Sequence, residues 1–336
     1  MTPTAPPWTE RRLALAHGTL VLREAGAPAA AHAAWIEAGA PAAAQSVWLM
    51  HGISSGAGSW QGLAAALPAH PLPALHLLAW DAPGYGDSAP LAGAAPTAHD
   101  YADVAAQALD ALGLHRVWLV GHSLGALVAA ALAARLGPQR VAGVLLLSPA
   151  QGYGARPDPA ARVRSQRLQA LAELGVPGLA AGLSQRLLSA QATDAHHAQV
   201  QAVAQRMTPG GYTQAVQMLC NSDLRALAAL SGWPADGAAD RSTDQSTDRP
   251  TARPTDRSTH RPNEGTVTPG PIPARPPWHI ACGSADVVTP APACAALAVS
   301  LGLPFTLLPG AGHACPVQQP GAVAGLIAAL ATPKAA

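Results

Sequence analysis

With 336 residues, 49% of them hydrophobic and 12% charged, the chain can bury a large core without metal or disulfide staples. Twenty Lys and Arg against 19 Asp and Glu leave a net charge of +1, which excludes the basic footprint of a general nucleic-acid or anionic-membrane binder. Lys334 is the only lysine, so a P-loop NTPase of ordinary form is excluded as well.

In chain order, Arg11-Arg12 precede an apolar stretch from Leu13 to Leu22, the position of a twin-arginine export signal. His17 and Gly18 interrupt that stretch, Arg23-Glu24 end it and no clean cleavage pattern follows, so the segment reads as structure. Residues 12–24 and 33–38 alternate loosely and predict the two strands of a hairpin. Short apolar runs then follow at 46–50, 75–80, 116–120 and 141–147, each stopped by a nearby Gly, Pro or Asp. Such runs suit strands buried on both faces. Helix-like segments at 59–67, 98–112 and 124–136 separate them, and this alternation predicts a doubly wound, mostly parallel α/β sheet. The region 117–147 is broken by His122, Arg135, Gln139 and Arg140 and is not a membrane span.

A helical block, about 158–230, comes next, broken by Gly175, Pro177 and Pro209-Gly-Gly211. The strand–helix rhythm returns with strands at 278–281 and 304–308 and helices at about 291–301 and 319–331. The domains expected are a core of residues 1–154 and 277–336, a helical lid of 155–234, and a low-complexity insertion of 235–276. That insertion carries a degenerate four-residue repeat with almost no large apolar side chains, and it reads as a disordered linker. Cys220, Cys282, Cys294 and Cys315 form no C-x-x-C pair and no zinc-ligand set, and read as reduced thiols in a cytoplasm. No metal or cofactor is expected, and oligomeric state is not readable.

The chemistry centres on Gly121-His-Ser-Leu-Gly125, which follows the strand 116–120 and opens the helix 124–136. A sharp strand-to-helix turn lifts Ser123 above the sheet edge and sets it against a helix N-terminus. A serine nucleophile needs a base and an orienting acid, which belong in loops after later strands. Of 13 histidines only His279 and His313 lie in the late β/α half. His279 falls inside a strand, whereas His313 follows the loop Pro309-Gly-Ala-Gly312 and reads as the base. Gly283-Ser-Ala-Asp286 follows the strand 278–281 and supplies the acid, Asp286, since the alternative position after the strand 141–147 reads Ser148-Pro-Ala150. The turn His51-Gly52-Ile53 after the strand 46–50 offers the Ile53 N–H, which with the Leu124 N–H would form an oxyanion hole. Asp81, Asp87 and His122 read as structural neighbours. Cys282 and Cys315 read as buried apolar side chains, and Met207, Tyr212, Met218 and Trp233 stay open between pocket and lid core.

These features, in this order, resemble the α/β-hydrolase fold family over about residues 12–150 and 277–332. Trp80-Asp-Ala-Pro-Gly-Tyr-Gly-Asp-Ser88 resembles the family's D-x-P-G-x-G-x-S segment, and Gly312-His313 its final motif. The resemblance implies a lid after the sixth strand. Serine at the elbow points away from the dehalogenase and epoxide-hydrolase branches, which use aspartate there. It is closest to carboxylesterases and enol-lactonases, so a small-molecule ester or lactone is the expected substrate. The alternatives are a carbon–carbon bond hydrolase of aromatic ring-cleavage products, an acyltransferase and a non-catalytic ligand-binding protein. The first shares Gly56-Ala-Gly-Ser-Trp60 but lacks its usual Trp after His313.

Overall fold

The computed structural model describes residues 8–26, 45–67, 75–232 and 275–332. Among these residues eight strands form one sheet: β1 (Thr9–Leu15), β2 (Gly18–Gly26), β3 (Gln45–Met50), β4 (Leu75–Asp81), β5 (Val117–His122), β6 (Val141–Leu147), β7 (Trp278–Gly283) and β8 (Phe305–Leu308). Their order is β1-β2-β4-β3-β5-β6-β7-β8. Strands β3 to β8 run parallel, while β1 pairs with β2, and β2 with β4, antiparallel.

The apolar runs are continuous because both sheet faces are covered. Along β3, Trp48 and Met50 enter one core while Val47 and Leu49 enter the other, and β4 and β6 divide their residues in the same way. Helices Ala98–Ala111, Gly125–Arg140 and Ala291–Ser300 cover the first face, and Gln61–Ala66 and Pro320–Ala331 the second. Among the described residues five helices lie between β6 and β7, from Pro157–Ala181 to Leu224–Leu230. Among the described residues no helix is long and apolar enough to cross a membrane.

Two expectations need correction. The hairpin is made within residues 9–26, because Leu15 pairs with Gly18 across a two-residue turn at Ala16-His17, so 12–24 is not one strand. The partner expected at 33–38, Trp233 and residues 235–274 of the insertion lie outside the described residues. Within the helical block, Gly175 breaks the long helix at φ +60°, but Pro209-Gly-Gly211 starts a helix instead of ending one. Thr208 caps that start by accepting the Gly211 N–H at 2.9 Å, with Pro209 in the first turn, where its missing N–H costs nothing.

Candidate active site

Strand β5 ends at His122, and the next residue, Ser123, takes φ +52° before the helix Gly125–Arg140 begins. A left-handed serine costs about 1–3 kcal/mol. Close packing imposes it: a Cβ on Gly121 would come within 2.4 Å of the Gly125 carbonyl oxygen, and one on Gly125 within 2.2 Å of the Met50 carbonyl oxygen. Only glycine lets the turn sit this tightly between two strands. The Ser123 N–H donates to the Leu147 carbonyl at 2.9 Å, tying the turn to the end of β6.

The structure brings the three distant candidates together. Ser123 Oγ lies 3.0 Å from His313 Nε2, and His313 Nδ1 lies 2.8 Å from Asp286 Oδ2. All three residues are buried. Burial alone would raise the Asp286 carboxyl. The His313 hydrogen bond and charge, with the Thr289 N–H, outweigh that and hold it well below the usual carboxylate range. Asp286 Oδ1 accepts the Val288 and Thr289 N–H groups at 2.8 and 2.9 Å, and Oδ2 accepts the Thr289 hydroxyl at 2.9 Å. An ionised carboxylate so held keeps the His313 proton on Nδ1 and leaves Nε2 to face the serine hydroxyl. Thr289 was not singled out from the sequence, although the spacing Asp-x-x-Thr is that of a carboxylate capping its own loop.

The turn after β3 is built for one backbone geometry. The Ala82 N–H can only donate, so at 3.0 Å it makes His51 Nε2 an acceptor. His51 Nδ1 then carries the proton and donates it to the Gly52 carbonyl at 2.8 Å. Burial lowers the His51 pKa and so favours this neutral form. The Tyr85 hydroxyl donates to the Ile53 carbonyl, and Asp81 Oδ1 accepts the Ala57 N–H at 2.8 Å. Both side chains come from the segment Asp81–Ser88, so its role is to brace the turn, and Tyr85 escaped the sequence reading. Among the described residues neither the Ile53 nor the Leu124 N–H has a hydrogen-bond partner, and both residues line the pocket above Ser123.

Other candidates take structural places. His279 Nε2 pairs with the Thr306 hydroxyl at 2.8 Å, and Asp87 forms an ion pair with Arg12. Because a carbonyl can only accept, His122 Nε2 carries its proton toward the His313 carbonyl at 2.8 Å. Burial and then the neighbouring His313 push His122 down to about 3, and its buried Nδ1 has no partner. The four cysteines are buried free thiols, and Cys282 Sγ lies 3.7 Å from Asp286 Oδ2. Met207, Tyr212 and Met218 all join the core, and Tyr212 also lines the pocket. Among the described residues no three His, Cys, Asp or Glu side chains gather to hold a metal.

A strained serine at the end of a central parallel strand, with its acid and base after β7 and β8, defines a class of fold. The profile of the alpha/beta hydrolase fold family matches residues 45–297, and the chain belongs to that family. A hydrolase from Pseudomonas aeruginosa superposes with a TM-score of 0.68 at 21% identity, covering 97% of this chain and 99% of its own. The enol-lactonase of Burkholderia xenovorans gives 0.67 at 18% identity, with 96% and 100% covered. A thermophilic esterase from Thermogutta terrifontis gives 0.66 at 19%, with 95% and 96% covered. At such identities the likeness is one of fold. No curated protein matches the chain in sequence.

Proposed function

We propose that the protein is a serine hydrolase that cleaves small carboxylic esters or lactones through an acyl-enzyme. One observation carries this reading: the unbroken line from Ser123 Oγ through His313 to Asp286, at 3.0 and 2.8 Å, beside two unpartnered N–H groups. Ser123 Oγ attacks the carbonyl carbon while His313 Nε2 takes its proton, and Asp286 holds the resulting imidazolium. The tetrahedral oxyanion accepts the Ile53 and Leu124 N–H groups, donors of a kind worth about 3–4 kcal/mol each. Collapse breaks the ester C–O bond, and His313 returns the proton to the departing alcohol. Water then attacks the acyl-enzyme through the same base, which releases the acid and restores the serine. Helices 157–230 act as the lid that shapes the acyl pocket. Family membership and the esterases and enol-lactonase among the fold neighbours support this assignment.

A panel of 4-nitrophenyl esters and lactones, run on the wild type and on Ser123→Ala side by side, tests it. Turnover by the wild type and loss in the variant are expected. Equal turnover by both proteins would refute the assignment, and so would the absence of turnover together with an Ser123 that a fluorophosphonate leaves unlabelled.

A further inference from the structure

The pocket above Ser123, of about 360 Å³, has a polar wall of one sign. Arg156, Arg167 and Arg186 line it, and no Asp or Glu does. The Asp286 carboxylate lies behind His313 with its side chain wholly covered, so it offers the pocket no open counter-charge. Arg156 stands at the cap of the helix Pro157–Ala181, and Arg167 lies eleven residues further on. Arg186 comes from the following short helix, Leu183–Leu187.

Elsewhere Arg11, Arg12, Arg135, Arg140 and Arg206 each pair with a carboxylate. Among the described residues none of the three pocket arginines does, nor do Arg23, Arg116, Arg162, Arg164, Arg225 and Arg275; of the three in the pocket Arg167 is half-buried, and Arg156 and Arg186 are exposed. Arg156 donates to the Gly152 carbonyl at 2.8 Å and lies 4.9 Å over the Tyr153 ring. Half-buried Arg167 donates to the Tyr212 hydroxyl at 3.3 Å, a long contact for so strong a donor. Burial raises the Tyr85 hydroxyl, and the nearby Arg167 charge opposes that rise. Arg167 lines the same pocket as Ser123, Ile53 and Tyr212. A guanidinium kept partly out of water without a counter-ion is unfavourable, and a ligand carboxylate would relieve it through two parallel hydrogen bonds.

We propose that the pocket selects esters or lactones bearing a second, ionised carboxylate, which Arg167 grips with help from Arg186 while the reacting carbonyl lies over Ser123. This deepens the hydrolase reading and rests on it. The test compares 4-nitrophenyl hydrogen glutarate with its neutral match of equal length, 4-nitrophenyl pentanoate, and takes the ratio of kcat/KM within each protein. A uniform loss of activity then cancels. In the wild type the anionic ester should be favoured about tenfold or more, and added salt should lower the ratio several-fold. Arg167→Gln should bring the ratio down about tenfold and Arg186→Gln about threefold. Arg164→Gln should leave it unchanged, because Arg164 is bound to Gln217 and Asn221.

If the neutral ester is hydrolysed but the wild type shows no anionic preference, or neither pocket variant alters it, the inference is wrong and the hydrolase reading stands. If neither ester turns over and a fluorophosphonate leaves Ser123 unlabelled, the hydrolase reading itself fails and takes the inference with it. Where labelling occurs without measurable turnover, glutarate should protect Ser123 in the wild type and not in Arg167→Gln. Equal labelling with and without glutarate would overturn the proposal.

Discussion

The sheet rim and the helices above it are held in different ways. At the rim, Ser123, Asp286 and His313 are buried just beyond the ends of β5, β7 and β8, and each is fixed by backbone groups or by its neighbour. Above it, the helix Pro157–Ala181 buries only Ala160 and Ala180 fully, breaks at Gly175 and carries Arg167 on a single long hydrogen bond. Chemistry that tolerates little displacement is placed where packing over-determines geometry. The wall proposed to choose among substrates lies where a substitution would change contacts without moving Ser123.

That contrast breaks if rim substitutions prove mild or wall substitutions prove severe. Ser123→Ala should cost on the order of 10⁴–10⁶-fold in kcat while the thermal unfolding midpoint stays within a few degrees. A small loss in a pure preparation would show that another group does the chemistry. Asp286→Asn keeps the shape but cannot hold the Nδ1 proton of His313 in place, and should cost about 10³–10⁴-fold in kcat with KM little changed. Tyr85→Phe releases the Ile53 carbonyl, so the oxyanion turn loosens, and about a tenfold loss in kcat is expected. A change confined to KM would show that Tyr85 shapes only the pocket.

His122 sharpens the same contrast through stability. Its folded pKa of about 3 lies below the ordinary value of ~6.5, so between those values the unfolded chain holds a proton that the native one refuses. Its contribution is whole above the upper value and is lost as pH falls toward the lower one. Burial lowers His51 as well, so the wild type loses stability in this window from both residues. In His122→Asn the slope of unfolding free energy should be shallower by about 1.4 kcal/mol per pH unit, measured by urea titration across the window. The smallest effect belongs to the wall: Tyr212→Phe should change kcat on a neutral ester less than about threefold.

Strands were legible where burial on both faces makes their signature a short apolar run closed by Gly, Pro or Asp, as at Val141–Leu147 before Pro149. The hairpin was not, because Ala16-His17 carries no turn composition and β1 shows solvent most of its residues. Ser123, Asp286 and His313 could be read because each follows a strand within a short glycine-bearing loop. Tyr85 could not, since its partner is a carbonyl 32 residues away and no local pattern encodes that bond. The pocket arginines were hidden for a different reason. On a helix with so few buried residues, an arginine such as Arg167 looks like part of an ordinary solvated face until the neighbouring elements half-bury it.

The most direct test is covalent labelling of the intact protein with a fluorophosphonate, read by peptide mass spectrometry in the wild type and in His313→Ala. The expected result is one adduct per chain, on the peptide containing Ser123, with labelling slowed by orders of magnitude when the imidazole is removed. A folded wild type that takes no label, takes it at another serine, or labels equally fast without His313 would contradict the account.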